Sequence, residues 1–140
     1  MTNQSQLDAR ILDDVADALI YSDRSGTIRR WNRASSALFG FTADDALGQN
    51  LDMIVPEHLR AAHWKGFEAA LASGTMKLAG KPTLTRALHK SGTKLYIEMT
   101  FALVRDAEGQ VQGSVAMARD VTERVERERA ARAASAPKTS

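Results

Sequence analysis

The spacing of apolar residues changes along the chain, and each spacing predicts a different element. Leu7, Ile11 and Val15 follow one another at intervals of four, which predicts an amphipathic helix over 6–17. Over 93–104 apolar and polar residues alternate instead, which is the period of a strand with one buried face. The apolar members of that strand are Leu95, Ile97, Met99, Phe101 and Leu103.

Turn residues divide the first half of the chain into short elements. Strands over 18–22 and 27–31 flank Gly26, which can take a positive φ, so they are predicted to form a hairpin. Asn32 is placed to cap a short helix that Gly40 ends. A single helical turn follows over 42–48, and a longer helix is predicted over 56–74 because proline suits a first helical position.

The last third is predicted to contain three strands and a helix. Gly80 and Pro82 interrupt the stretch 76–88, which indicates an edge strand or a bulged one. The alternating strand and a strand over 111–118 follow, and from Asp120 the composition becomes that of a charged helix. Antiparallel strands with the helices grouped in the middle indicate an α+β fold. We divide the chain into a flanking helix (1–17), a core (18–119), a second flanking helix (120–136) and a tail (137–140).

Composition excludes several function classes. The 140 residues fit one domain, and the absence of cysteine excludes disulfides, cysteine-ligated metal sites and a thiolate nucleophile. The net charge of +2 is too small an excess to indicate nucleic acid as a partner. No apolar run could span a membrane and no signal peptide is evident, so we expect a cytoplasmic protein with no membrane partner. No catalytic constellation is present, so we do not expect an enzyme.

Four motifs stand in a specific order along the chain, at 23–32, 38–48, 89–92 and 119–123, the last containing Asp-Val-Thr. Together they resemble the PAS sensor domains, over about 8–130. The resemblance implies a five-stranded antiparallel sheet with helices on one face and a ligand between the sheet and the long helix. It also implies signalling through terminal helices, usually in a homodimer, to an effector domain or a partner kinase or other regulator.

His63 is the main candidate for binding a cofactor. The long helix places Leu59, His63 and Phe67 on one apolar stripe, and an imidazole in such surroundings is a good ligand for haem iron. The stretch 56–63 also resembles rhizobial haem-containing oxygen-sensor kinases, which carry their haem histidine at this position. The resemblance implies haem as the cofactor and His63 as the ligand of its iron, with Leu59, Phe67, Leu78, Thr83, Phe101 and Leu103 lining the site.

Two positions depart from those kinases. Thr83 stands where they have a distal arginine, and Ala69 stands where they have an arginine that holds a haem propionate. A bound haem would therefore have a less polar distal side, and its propionates would need other partners, such as Lys77 or Arg86.

A second interpretation of the same residues stays open. His63 can be a packed core histidine, in which case the domain is a cofactor-free module for dimerisation or protein interaction. We expect His58 and His89 at the surface, Trp31 half-buried at the end of its strand, and Trp64 beside the sheet edge or a partner chain.

The closing helix has a thin apolar seam that contains Val121, Val125 and several alanines. It can be a solvated helix or a weak dimer-forming one, and we favour the second interpretation because the opening helix offers a second apolar seam. A thin seam is also easily rotated or melted, which suits a switch. Asp120, Val121 and Thr122 stand where the sheet meets this helix and are the candidate relay residues.

Overall fold

The computed structural model describes residues 3–76 and 80–135. The strands of the described residues are β1 (Ala18–Asp23), β2 (Ile28–Trp31), β3 (Thr83–Leu88), β4 (Lys94–Arg105) and β5 (Val111–Asp120). All neighbours pair antiparallel, in the spatial order β2-β1-β5-β4-β3. The two ends of the core, β1 and β5, therefore lie side by side in the middle of the sheet.

Helices connect the first two strands to the last three and flank the sheet. They are α1 (Gln4–Asp14), α2 (Arg33–Phe39), α3 (Ala43–Ala46), α4 (Arg60–Ser73) and α5 (Thr122–Ser135), with 3₁₀ turns at Leu51–Ile54 and Glu57–Leu59. The expected α+β fold with a five-stranded antiparallel sheet is confirmed. None of the helices in the described residues is long and apolar enough to cross a bilayer.

One face of the sheet carries the hydrophobic core. The alternation in β4 is as predicted, because Leu95, Ile97 and Met99 are buried while the residues between them are more exposed. Phe39 of α2 and Ile28 of β2 are fully buried against this inner face. The opposite, outer face of β4 carries Tyr96, Glu98 and the other alternate residues.

The β1–β2 turn is held by the carboxylate of Asp23. It accepts hydrogen bonds from the Ser25 hydroxyl (2.6 Å), the Arg29 guanidinium (3.0 Å) and the backbone N–H groups of Ser25 and Thr27. The bond from Ser25 contributes most to holding the pKa of Asp23 down at about 2. Gly26 has a φ of 81° at the corner of this turn, as the sequence predicts.

Helix α1 ends earlier than predicted, at Asp14 instead of residue 17. The amide of the Asn32 side chain donates to the carbonyl of Leu12, which a longer helix would use internally. Val15 is accordingly extended, and the chain turns there into β1.

Strand β3 begins at Thr83, and its position at the edge of the sheet is confirmed. Of the longer stretch expected to be strand, residues 77–79 lie outside the described residues, as does the tail 137–140. Helix α4 begins at Arg60 because a 3₁₀ turn separates it from Pro56.

Candidate functional site

His63 lies in the first turns of α4 and is half-buried. Its ring makes an edge contact with Trp64 (centroids 4.8 Å apart) and stacks with Phe67 at 6.1 Å. Trp64 and Phe67 themselves pack against the core cluster of the inner sheet face. The predicted stripe of Leu59, His63 and Phe67 thus lies on the part of α4 and its preceding turn that borders the core, although Leu59 is only half-buried.

The imidazole of His63 is polar but lacks a polar partner. Its Nδ1 atom is enclosed and accepts or donates no hydrogen bond within 3–76 and 80–135. Burial lowers the pKa of His63 below its ordinary value of 6.5, while the nearby Asp52 carboxylate acts in the opposite direction. A neutral imidazole holds a lone pair on one ring nitrogen, so this side chain is suited to bind a metal.

The lowered pKa predicts a specific pH dependence for the ligand-free protein. The unfolded chain binds the proton more readily than the folded one, so the free energy of unfolding falls as pH falls through the unfolded-state value. We expect wild type to lose more stability than His63→Phe between about pH 7.5 and about pH 5.5 in urea unfolding. His58→Phe, at an exposed position, is the control and should lose as much as wild type. An equal loss in His63→Phe and wild type would contradict the prediction.

Trp64 joins α4 to the β1–β2 turn. Its indole N–H donates to Asp52 at 2.7 Å, and its ring lies so close to Gly26 that a Cβ there would overlap with it. Of the two expected positions of Trp64, the one beside the sheet edge agrees with the structure, because Gly26 opens a space for the indole at the turn that leads into the edge strand β2. Asp52 and Gly26 were not candidates from the sequence, although the glycine of the hairpin turn marks a place of close approach.

The candidate residues of the sheet share its inner face. Thr83 pairs with the buried Met99, and the alternation of β4 places Phe101 and Leu103 on the same face. Phe101 packs against the core, and Leu103 is half-buried. Leu78 lies outside the described residues. The backbone register therefore agrees with a site between α4 and this face.

Two surface clefts of about 580 Å³ each lie elsewhere. One lies along α1, and the other lies between the α1–β1 connection, α2 and the end of β5. Neither includes His63, whose ring is instead covered by its aromatic neighbours Trp64 and Phe67.

Two of the three relay candidates, Val121 and Thr122, form hydrogen bonds with a single residue of β4, Tyr96, and the third, Asp120, caps Thr122. The carboxylate of Asp120 accepts from the N–H of Thr122 at 2.9 Å, and the N–H of Val121 donates to the Tyr96 carbonyl at 2.9 Å. The Thr122 hydroxyl in turn accepts from the N–H of Tyr96 at 2.9 Å. The start of α5 is thereby fixed to the sheet through both backbone groups of Tyr96.

The remaining aromatic candidates differ in part from expectation. His58 is exposed, as expected, but His89 is half-buried because its ring lies against Gly40 and its Nδ1 accepts from the N–H of Ser91. Trp31 is buried, not half-buried, at 6% exposure. Its indole N–H donates to the Ser36 hydroxyl and the Phe41 carbonyl, at 3.1 Å each.

Acidic and histidine side chains do not gather into a metal site in the part of the chain that the structure describes. Arg86, a candidate for a haem propionate, alternates to the outer face of β3 and lies over the Tyr96 ring. That expectation for Arg86 is therefore wrong, and Lys77 lies outside the described residues.

The family comparison agrees with this architecture. A family profile described as the PAS fold matches residues 12–126, and the chain belongs to that family. The PAS domain of a Colwellia psychrerythraea protein superposes with a TM-score of 0.71 at 27% identity, over 86% of this chain and 99% of that one.

Sequence relatives include sensor proteins. An uncharacterized protein of Azorhizobium caulinodans is 32% identical over 86% of this chain, the oxygen sensor protein DosP of Escherichia coli is 28% identical over 66%, and the sensor protein FixL of Bradyrhizobium diazoefficiens is 38% identical over 38%. These matches span 16%, 11% and 10% of the relatives' own lengths. The chain is thus a sensory PAS domain with homologues among oxygen sensors and sensor kinases.

Proposed function

We propose that this domain senses a gas or redox signal through haem, with His63 as the ligand of the iron. The main support for this proposal is the enclosed Nδ1 of His63, which has no hydrogen-bond partner in the described residues. Buried polar groups are nearly always paired, so an orphan imidazole nitrogen suggests a missing partner. The resemblance to rhizobial haem-containing sensors and the match to an oxygen sensor support the same ligand.

The chemical character of these side chains suits a bound haem. His63 offers a neutral nitrogen, and Phe67, Phe101 and Leu103 offer an apolar lining for a flat macrocycle. When bound, haem would supply an iron that takes up a gas molecule. Because Trp64 and Phe67 cover the imidazole, both rings would have to move before the cofactor could reach it.

The bound state would be passed on through Asp120, Val121 and Thr122. These residues join the sheet to α5, and their anchor on Tyr96 makes the first turn of that helix follow movements of β4. We include in the proposal a homodimer, an effector domain or partner kinase that receives the signal, and a cytoplasmic location.

Haem reconstitution tests the proposal with a matched set of histidine variants. We expect wild type, His58→Ala and His89→Ala to develop a Soret band after reconstitution, whereas His63→Ala develops none or a band of altered position. Added imidazole should partly restore the wild-type spectrum of His63→Ala, because the removed side chain leaves room for it. Circular dichroism of each variant shows whether the fold is retained.

Two outcomes would contradict the proposal in different ways. A wild-type spectrum in His63→Ala would remove His63 as the iron ligand. A wild-type protein with no Soret band would remove haem and leave a cofactor-free interaction module. That module predicts an unliganded native mass and a molecular mass that rises with protein concentration.

A further inference from the structure

Two buried serines lie opposite each other on neighbouring strands in the middle of the sheet. Ser22 of β1 pairs with Ser114 of β5, and the two residues are only 2% and 8% exposed. Residues that pair directly across antiparallel strands point to the same face of the sheet. Ser114 also pairs with Leu103 of β4, so both hydroxyls lie on the inner face, beside a residue of the candidate site.

The hydroxyls of these two serines have no hydrogen-bond partner among the described residues. A third buried serine, Ser35, donates to the Leu19 carbonyl and to the Asn32 side chain at 2.9 Å each, whereas no described residue forms such a bond with Ser22 or Ser114. A buried polar group without a partner lowers the stability of a fold. Two of them side by side on an apolar face therefore point to a partner that the described part of the chain does not supply.

Helix α4 crosses the inner face above this pair. Near its start the Trp64 ring lies against Gly26, in the turn that follows β1, and at its end the Gly74 carbonyl accepts from the guanidinium of Arg105, in β4. Ten residues of helix span about 15 Å, which is enough to cross the roughly 10 Å from β1 over β5 to β4. The buried residue of α4, Ala70, has a small side chain. The two serines therefore lie between the sheet and α4, at one end of the proposed ligand site.

An arginine without an acidic partner stands at the same end of the site. The exposed guanidinium of Arg105 donates to the carbonyls of Gly74 and, at 3.1 Å, of Gly109. Within the described residues it forms no ion pair, in contrast to Arg119, which pairs with a carboxylate at 3.1 Å. Arg105 follows Leu103 by two positions, which places their backbones about 7 Å apart. Because carbonyl groups do not neutralise its charge, this guanidinium is available to a carboxylate.

We propose that Ser22, Ser114 and Arg105 form the carboxylate-binding end of the ligand site. The two hydroxyls donate to the carboxylate oxygens, and the guanidinium balances their charge. The ligand class is then an apolar molecule with a carboxylate at one end. Haem belongs to this class through its propionates, for which neither Ala69 nor the outward-facing Arg86 offers a partner on the inner face. The inference rests on the proposed function in placing the ligand between α4 and the sheet, but it does not require that the ligand is haem.

Thermal unfolding of the ligand-free protein tests the two hydroxyls. Ser22→Ala and Ser114→Ala each remove a hydroxyl without a partner, and we expect each to raise the melting temperature by about 3 °C. Ser35→Ala is the matched control, because it removes a hydroxyl that is bonded and should lower the melting temperature. A lower melting temperature in all three variants would show that the hydroxyls of Ser22 and Ser114 serve the fold, and it would overturn the proposal.

Reconstitution with haem and with its dimethyl ester tests the recognition of a carboxylate. A change in the shape of the site weakens both porphyrins, whereas a lost carboxylate contact weakens only the acid. We expect the preference for the acid, measured by titration of the Soret band, to fall about tenfold in Arg105→Gln and about threefold in Ser114→Ala. Arg86→Gln changes an arginine of the outer face and should keep the wild-type preference. A preference that is the same in all four proteins would overturn the inference while leaving haem binding intact.

A second carboxylate separates this inference from the proposed cofactor. If wild type develops no Soret band, the haem proposal fails, and laurate and its methyl ester take the place of the two porphyrins. The readout is tryptophan fluorescence, because Trp64 borders the site and the chain has only two tryptophans. Laurate binding that Arg105→Gln weakens about tenfold would support the carboxylate-binding end with a different ligand. A protein that binds neither haem nor laurate would overturn it.

Discussion

Replacing Asn32 with alanine is expected to lower the free energy of unfolding by about 4 kcal/mol. The side chain is 4% exposed and makes five hydrogen bonds. Its Oδ1 accepts from the N–H of Leu19 and from both the N–H and the hydroxyl of Ser35, each at 2.9 Å. Its Nδ2 donates to the carbonyls of Leu12 at 2.8 Å and Asp17 at 3.0 Å.

The size of the loss follows from what these bonds join. One amide group connects the end of α1, the start of β1 and the first turn of α2, so its removal leaves several donors and acceptors unpaired at once. Asn32→Asp should be similarly damaging near neutral pH, because a carboxylate would replace the Nδ2 donor that faces two carbonyl oxygens. Protonation of that carboxyl would restore a donor, so the Asp variant should recover part of its stability in acid.

Urea and thermal unfolding measure both variants, and Asn50→Ala is the matched control. Asn50 caps the 3₁₀ turn Leu51–Ile54 through a single described side-chain bond, to the N–H of Asp52, and is exposed. We expect it to cost about 1 kcal/mol or less, whereas Asn32→Ala should lower the melting temperature by roughly 10–15 °C. Losses of equal size at the two positions would show that the long-range bonds of Asn32 contribute nothing.

Asn32 also shows where sequence reasoning reaches its limit. Its role as a helix cap could be predicted, because a cap bonds to a residue three positions away in the same segment. Its bonds to Leu12, Asp17 and Leu19 span 13 to 20 residues and depend on how α1 and β1 pack. No local pattern encodes them, and they also explain why α1 stops three residues before its apolar spacing predicts.

The candidate site likewise has one part that the sequence predicts and another part that it does not. The stripe that contains His63 follows from helical periodicity, and the inward residues of β4 follow from a period of two. The contacts of Trp64 with Asp52 and Gly26 join three separate segments, so the sequence could not identify the partners of the indole. The register of β3 against β4 likewise decides that Arg86 faces outwards.

The closing helix shows that an amphipathic pattern does not specify its partner. The spacing of Val121 and Val125 predicts one apolar stripe, and in the structure these two valines are buried while the alanines further along the helix are exposed. An apolar stripe can be covered by a second copy or by the chain's own sheet, and its spacing does not distinguish the two. Tertiary contacts at Tyr96 and Glu98 favour the sheet in the structure.

The second large effect is expected at Gly113, in the middle strand of the sheet. It pairs with Asp23 across the β1–β5 ladder, and a Cβ at this position would overlap with the carbonyl oxygen of Ser22. The Tyr21 hydroxyl and the Asp23 Cα would also crowd the added Cβ, at 2.9 Å and 3.0 Å from it. We expect Gly113→Ala to lower the free energy of unfolding by about 3 kcal/mol, because the obstacle is backbone that cannot rotate away.

Gly66→Ala makes a control with the opposite sign. Gly66 lies within α4 with no atom within 4 Å of an added Cβ, and its φ is not positive. Alanine there should stabilise the helix by about 1 kcal/mol, because glycine is the poorer helix former. Urea unfolding of the two variants should therefore give changes of opposite direction for the same added methyl group. If Gly113→Ala left the free energy of unfolding unchanged, β1 and β5 could move apart without a loss of stability. These two strands bring the end of α1 and the start of α5 to one side of the sheet.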